Sequence, residues 1–180
     1  MIRTVSVAPF DDAAAASART RIDNLTKPLG ALGRIEDLAV RLAGIAGKIP
    51  DHAYVQKAAI IGAADHGVVI EGVSAYPQDV TGQMVATFVS GHAAVNAFAR
   101  TTGADVFIAD FGTMEPHAGA AENFFDVRVR PGTRNLMREP ALTDDEVQAA
   151  ISAGEAVVDK VLARKDYDVL ALGDMGIGNT

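Results

Sequence analysis

Apolar segments of this chain end in an aspartate two residues before a glycine at three places. These are "DHG" at Asp65–Gly67, "DFG" at Asp110–Gly112 and "DMG" at Asp174–Gly176. Carboxylates can accept hydrogen bonds or move protons, and glycine lets loop backbone approach a ligand closely. In open parallel sheets, ligands sit outside the carboxyl ends of the strands. A single aspartate there can simply cap a turn. Three of them predict one rim on which three carboxylates and three flexible loops converge. "DFG" is no kinase signal, because the glycine-rich and catalytic-loop motifs are absent. "GDMGIG" runs G-x-x-G-x-G, which is not the order of the dinucleotide fingerprint.

A second group of polar side chains lies in "EGVSAYPQDVTGQM", Glu71–Met84. Tyr76 offers a flat apolar face with a polar tip, and Ser74, Gln78 and Gln83 offer neutral hydrogen bonds. That set suits an uncharged aromatic heterocycle better than a phosphate. The same stretch also reads as an ordinary proline-started helix entry. "RVRPGTRN", Arg128–Asn135, gathers three arginines around a Pro-Gly turn. Turn amides with Arg134 would suit a phosphate, and a solvated turn with surface arginines is the plainer reading. The histidines stand at 52, 66, 92 and 117, with no pair at the i, i+4 spacing of helical zinc ligands. No metal site is expected. His66 alone lies in a strand-end loop, where an orienting role fits better than that of a base. His92 is expected to pack within its helix.

The elements that must position these groups follow from periodicity. Asp11 or Asp12 can cap a helix through "AAAASARTRIDNL", and Pro28 in "TKPLG" ends it. A second helix, "ALGRIEDLAVRLAGIAG", carries Leu32, Ile35, Leu38, Leu42 and Ile45 on one face. "AAIIGAAD", "ADVFIAD" and "YDVLALGD" have the near-continuous apolar character of parallel strands covered on both faces. A helix over 78–100 would turn Met84, Val85, Phe88, Val95 and Phe98 inward. Another starts at the capping box Thr143–Glu146 and carries a stripe of Val147, Ile151, Val158 and Leu162. "FFDVRVR", Phe124–Arg130, alternates like a strand with one wetter face. The predicted fold is α/β, a mostly parallel, Rossmann-like sheet preceded by a helical hairpin. Residues 1–50 form the helical segment and 51–180 the first part of the α/β domain.

The chain has 180 residues, of which 49% are hydrophobic and 22% charged, enough to bury a sizeable core. A formal net charge of −7 argues against nucleic acid or an anionic membrane as partner. The absence of cysteine excludes disulfides, thiolate metal sites and a cysteine nucleophile, and fits the cytoplasm. No run of 18 apolar residues suggests a membrane span, and no basic-then-apolar start suggests a signal peptide.

Taken together, "LTKPLGALGRIEDLAVRLAGI", "AADHGVVIEGVSAYPQDVT", "GTRN" and "GDMGIGNT" resemble the nicotinate-nucleotide–dimethylbenzimidazole phosphoribosyltransferase family. Its N-terminal signature usually reads "TKPPGSLGRLE". The resemblance covers nearly the whole chain and is specific, since four separated motifs agree in order. Leu29 stands where a second proline is common. Asp174 stands where many members have glutamate, which shortens that carboxylate by one methylene.

The resemblance implies a displacement at the ribose anomeric carbon. A nitrogen of dimethylbenzimidazole attacks nicotinate mononucleotide, and nicotinate leaves with inversion. The product is α-ribazole phosphate, the lower-ligand precursor of cobalamin. The leaving nicotinate already carries a positive ring nitrogen, so neither metal nor cofactor is implied. The resemblance places the benzimidazole at Ser74, Tyr76, Pro77, Gln78 and Gln83. It places the mononucleotide at Asp174, Met175, Gly176, Gly178, Asn179 and Thr180, with phosphate contact from Thr133, Arg134 and Asn135. Members run to roughly twice the length of this chain, beyond the usual single-domain size, so the chain is expected to be truncated relative to the family. The catalytic glutamate is then expected beyond Thr180 and no catalytic base within the chain. A homodimer is implied. The rival readings are a non-catalytic module that binds the nucleotide or the benzimidazole, and a chain that folds incompletely and associates through exposed edges.

Overall fold

The structure is a computed structural model describing residues 4–51, 54–117, 119 and 121–179. His52 and Thr180 therefore lie outside the described residues. The chain divides into two compact units, one within Arg3–Ala53 and one within Tyr54–Thr180.

The first unit is a helical hairpin. Helix α1, Asp12–Asp23, starts at Asp11, whose carboxylate accepts from the Ala14 amide at 2.9 Å. Helix α2, Arg34–Ala46, ends on Gly47 at φ 67°, the left-handed stop that glycine adopts without strain. The two helices bury small residues, Ala15, Ala18, Ala43 and Gly44. A Cβ at Gly44 would fall inside the ring of Phe10, so the close approach needs glycine there. The segment between the helices is fixed by Glu36, which is only 4% exposed. Its Oε1 takes Lys27 Nζ at 2.9 Å and the Leu32 amide at 3.1 Å. The Lys27 ammonium, helped by that amide, holds the Glu36 carboxyl below its usual range. The apolar stripe of α2 is real but faces outward: Leu38 and Ile45 are exposed, Ile35 is 66% exposed, and Leu32, just before the helix, is exposed too.

The second unit is a four-stranded, wholly parallel sheet in the order β3-β2-β1-β4. Its strands are β1 Lys57–Ala64, β2 Ala104–Gly112, β3 Phe124–Asp126 and β4 Val169–Met175. Alternation along β1 and β2 builds a core on each face. Ala58, Ile60, Phe107 and Ala109 meet Val157 and Val161 of helix α5, Asp144–Leu162. Ile61, Ala63 and Ile108 meet Val85 and Phe88 of helix α3, Val80–Val89, and Ala93. The capping box forms as the sequence predicts, with Thr143 Oγ1 accepting from the Glu146 amide at 3.2 Å.

Several expectations need correction. The single helix over 78–100 is two, α3 and α4, Ala94–Thr102. Gly91 turns left-handed at φ 83°, and buried Asn96 stitches the break by accepting from the Ala93 amide and donating to the Phe88 carbonyl. The turn rotates Phe98 to 72% exposure and leaves His92 outside any helix, its Nδ1 3.1 Å from Ser90 Oγ. On α5 Val158 packs against the core as expected, but the buried residues are Val157 and Val161, while Val147 and Leu162 are exposed. β3 stops at Asp126, although the Val127 and Val129 amides still donate to the Asp110 and Phe111 carbonyls. β4 is not covered on both faces: it pairs with β1, and Leu172 is 78% exposed.

Candidate functional site

Parallel register brings the three strand ends level, with Gly62 opposite Asp174 and Ala63 opposite Asp110. The three carboxylates do not, however, converge on an open rim. Asp110 is fully buried and serves its own loop. Its Oδ1 accepts from the Gly112 and Thr113 amides at 2.9 and 2.8 Å, and Oδ2 lies 2.5 Å from Thr113 Oγ1. Asp65 is 3% exposed, and its Oδ2 accepts from the Met114 amide at 2.7 Å. Asp174 alone is exposed, held by the side-chain amide of Asn179. The turn-capping reading is thus right for Asp110.

Three grooves surround these strand ends. One, of about 380 Å³, is lined by Val73, Ser74, Ala75 and Tyr76 on one side and by Met175–Asn179 on the other. A second, of about 430 Å³, is lined by Gln78, Asp79, Gly82 and Gln83 with Asp65 and Thr113–Glu115. A third, of about 330 Å³, is lined by Asp174, Met175 and Asn179 with His66, Phe111 and the end of β1. The residues expected to hold the benzimidazole are therefore divided. Ser74 and Tyr76 face the glycine loop, Gln78 and Gln83 face the second groove, and Pro77 is exposed between them. The residues expected to hold the mononucleotide, Asp174, Met175, Gly176, Gly178 and Asn179, line the first and third grooves.

The glycine loop is set by what lies beneath it. A Cβ at Gly176 would stand 2.3 Å from the Ala64 carbonyl oxygen and 2.7 Å from His66 Nε2. Gly178 has φ 88°, and a Cβ there would meet Val69 at 2.8 Å. The Ile177 amide donates to Thr81 Oγ1 at 3.1 Å, and Thr81 is fully buried. Sequence reasoning passed over Thr81, since a threonine in a first helical turn carries no signal of a partner 96 residues away.

"GTRN" lies against the other side of "DHG". The Gly67 amide donates to Thr133 Oγ1 at 3.2 Å, and a Cβ at Gly67 would meet the Thr133 carbonyl oxygen at 2.5 Å. Asn135 is buried and donates to Glu71 Oε1 at 2.5 Å. Arg134 makes a two-pronged pair with Glu146 at 2.6 and 3.0 Å. That guanidinium, with the Thr143 amide, lowers the Glu146 carboxyl to about 2. Thr133, Arg134 and Asn135 are all engaged by the protein itself and line none of these three grooves.

Among the described residues, no group of three or more His, Asp or Glu is placed to hold a metal ion. Nor is any helix long and apolar enough to cross a membrane.

A family model described as "Phosphoribosyltransferase" matches residues 7–180. A nicotinate-nucleotide–dimethylbenzimidazole phosphoribosyltransferase of Salinispora tropica is 43% identical over 190 residues, covering 98% of this chain and 52% of the relative. The protein of the same name from Thermus thermophilus is 45% identical over 168 residues, covering 92% and 48%. A crystal structure of the Thermus thermophilus enzyme superposes with a TM-score of 0.86 at 44% identity, covering 94% of this chain and 50% of that one. The chain spans about half the length of the curated relatives it matches. Motifs, fold and relatives agree, and the chain belongs to the nicotinate-nucleotide–dimethylbenzimidazole phosphoribosyltransferase family.

Proposed function

We propose that this chain supplies the substrate-gathering half of an enzyme that transfers phosphoribosyl from nicotinate mononucleotide to 5,6-dimethylbenzimidazole. The products are α-ribazole phosphate and nicotinate, and the pathway served is cobalamin biosynthesis. The observation that carries this reading is the groove in which Ser74 and Tyr76 face Met175, Gly176, Gly178 and Asn179. A planar azole against Tyr76 and a nucleotide against the glycine loop would be neighbours there. Holding two reactants at attack distance is the larger part of what such a reaction needs.

In the reaction, the azole's free ring nitrogen bonds to the anomeric carbon from the face opposite nicotinate. The bond to nicotinate breaks, and its electron pair neutralises the pyridinium nitrogen. The proton on the azole's other nitrogen passes to a carboxylate base, which this reading assigns to the other half of the enzyme. Gln78 and Gln83 complete the azole site from the second groove. Thr133 and Asn135 brace the loop after Asp65 from behind the mononucleotide, and Arg134 contacts the phosphate only on exchanging its pairing with Glu146. The enzyme works as a homodimer in the cytoplasm.

The test is chromatography of product formed from the two substrates, by this chain and by the family-length protein containing it. The longer protein should form α-ribazole phosphate. The chain alone should lose at least roughly 10²–10⁴-fold, the usual worth of a general base. A longer protein that leaves both substrates unchanged overturns the reading.

A further inference from the structure

The third groove holds an imidazole that the reaction above does not use. His66 is half-buried, and among the described residues neither of its ring nitrogens has a hydrogen-bond partner. Its ring edge lies under Gly176, and the same groove carries the Asp174 carboxylate. The rest of the lining is flat and poor in side chains. It includes Gly62, Ala64 and the ring of Phe111, whose edge a Cβ at Gly62 would meet at 3.5 Å. At about 330 Å³ the groove is at the small end of ligand pockets.

A flat slot with a carboxylate and an unpartnered imidazole suits a planar ring of mixed charge. The nicotinate ring of the mononucleotide is such a ring, with a cationic nitrogen and an anionic carboxylate. We infer that His66 is a specificity-determining residue: its N–H donates to the nicotinate carboxylate while Asp174 faces the pyridinium nitrogen. This rests on the proposed function, and deepens it by assigning a groove to the leaving group. Hydrogen bonds to charged groups are the stronger kind. A carboxamide in place of the carboxylate keeps the ring and loses the charge that His66 meets.

The experiment compares kcat/KM for nicotinate mononucleotide and nicotinamide mononucleotide in the family-length protein. The wild type should prefer the carboxylate. His66→Phe, which keeps a ring under Gly176, should cut that preference by about tenfold or more. The loss should appear in the KM for the mononucleotide and leave the KM for the azole unchanged. His66→Gln, which restores an N–H donor, should recover part of it. The reverse order, with phenylalanine preserving the preference and glutamine losing it, would make His66 only a wedge and overturn the inference. So would a wild type indifferent to the two mononucleotides. A measurement without turnover separates this claim from the reaction itself: the His66 ring signals in NMR should shift on titration with free nicotinate and not with nicotinamide. Turnover with no such shift overturns the role of His66 alone. A shift without turnover keeps it, and the reaction is what fails.

Discussion

Replacing Gly176 by alanine tests whether the glycine loop is held from beneath. Gly176 is buried and does not have a positive φ, so the substitution brings no backbone strain of the left-handed kind. The whole cost is steric. The new methyl would lie 2.3 Å from the Ala64 carbonyl oxygen and 2.7 Å from His66 Nε2. The imidazole could swing away, but the carbonyl belongs to the end of β1, where Ala64 pairs with Gly112 of β2. Relief must therefore come from lifting residues 175–179 off the strand ends. Overpacking of this kind costs about 1–3 kcal/mol. In a chain of this size that lowers the melting temperature by about 2–12 °C. The lift also widens the groove between Tyr76 and the loop, so mononucleotide binding should weaken more than azole binding. Calorimetric melting of Gly176→Ala and titration with each substrate in the family-length protein check both parts. A variant that melts and binds like the wild type would refute the close contact and the argument built on it.

Gly82→Ala makes the opposite case: a Cβ there meets nothing within 4 Å, and the position lies in α3 at ordinary helical φ. It should stabilise the fold by about 0.5–1 kcal/mol, read in the same melting experiment. Acid should expose the Arg134–Glu146 pair. Since the folded Glu146 carboxyl titrates near 2 against an ordinary 4.5, its contribution is complete above about 4.5 and is lost as pH falls toward 2. Glu146→Gln should flatten the stability curve across that window, and an unchanged curve would mean the pair is idle. The exposed outer side of β4 should make the 180-residue chain self-associate at micromolar concentration. Light scattering that shows a monodisperse monomer would refute that.

The parts of the fold legible in the sequence were those governed by local chemistry. The β1, β2 and β4 runs, the Asp11 cap and the Thr143–Glu146 box each sit within a few residues of their cause. The break between α3 and α4 was not legible. Apolar spacing continues through Ser90–Ala93, and what ends the helix is a left-handed glycine backed by a buried Asn96. The outward face of α2 was not legible for a different reason. Periodicity finds a stripe but not its partner, and the hairpin packs through alanine and glycine instead. At the candidate site the residue types were legible and their grouping was not. Ser74 and Gln83 lie nine positions apart yet open on different grooves, because Pro77 and the start of α3 turn the chain between them.

The separated motifs of the α/β unit are, in space, one object built around "DHG". The Asp65 amide donates to the Gly112 carbonyl, its own carbonyl accepts from the Thr133 amide, and its carboxylate takes the Met114 amide. Gly67 has no room for a side chain because "GTRN" presses on it, and Gly176 has none because Ala64 and His66 lie under it. Most of the motif glycines and aspartates are thus accounted for by backbone approaching backbone, before any ligand is considered. That separates two kinds of residue which look alike in the sequence. Asp65, Gly67, Asp110 and Gly176 set the spacing of the strand ends, so changing them should cost stability and binding together. Ser74, Tyr76, Gln83 and His66 border open grooves. Their loss should change affinity in a fold that still melts normally, and that contrast is the physical meaning of a site in this chain.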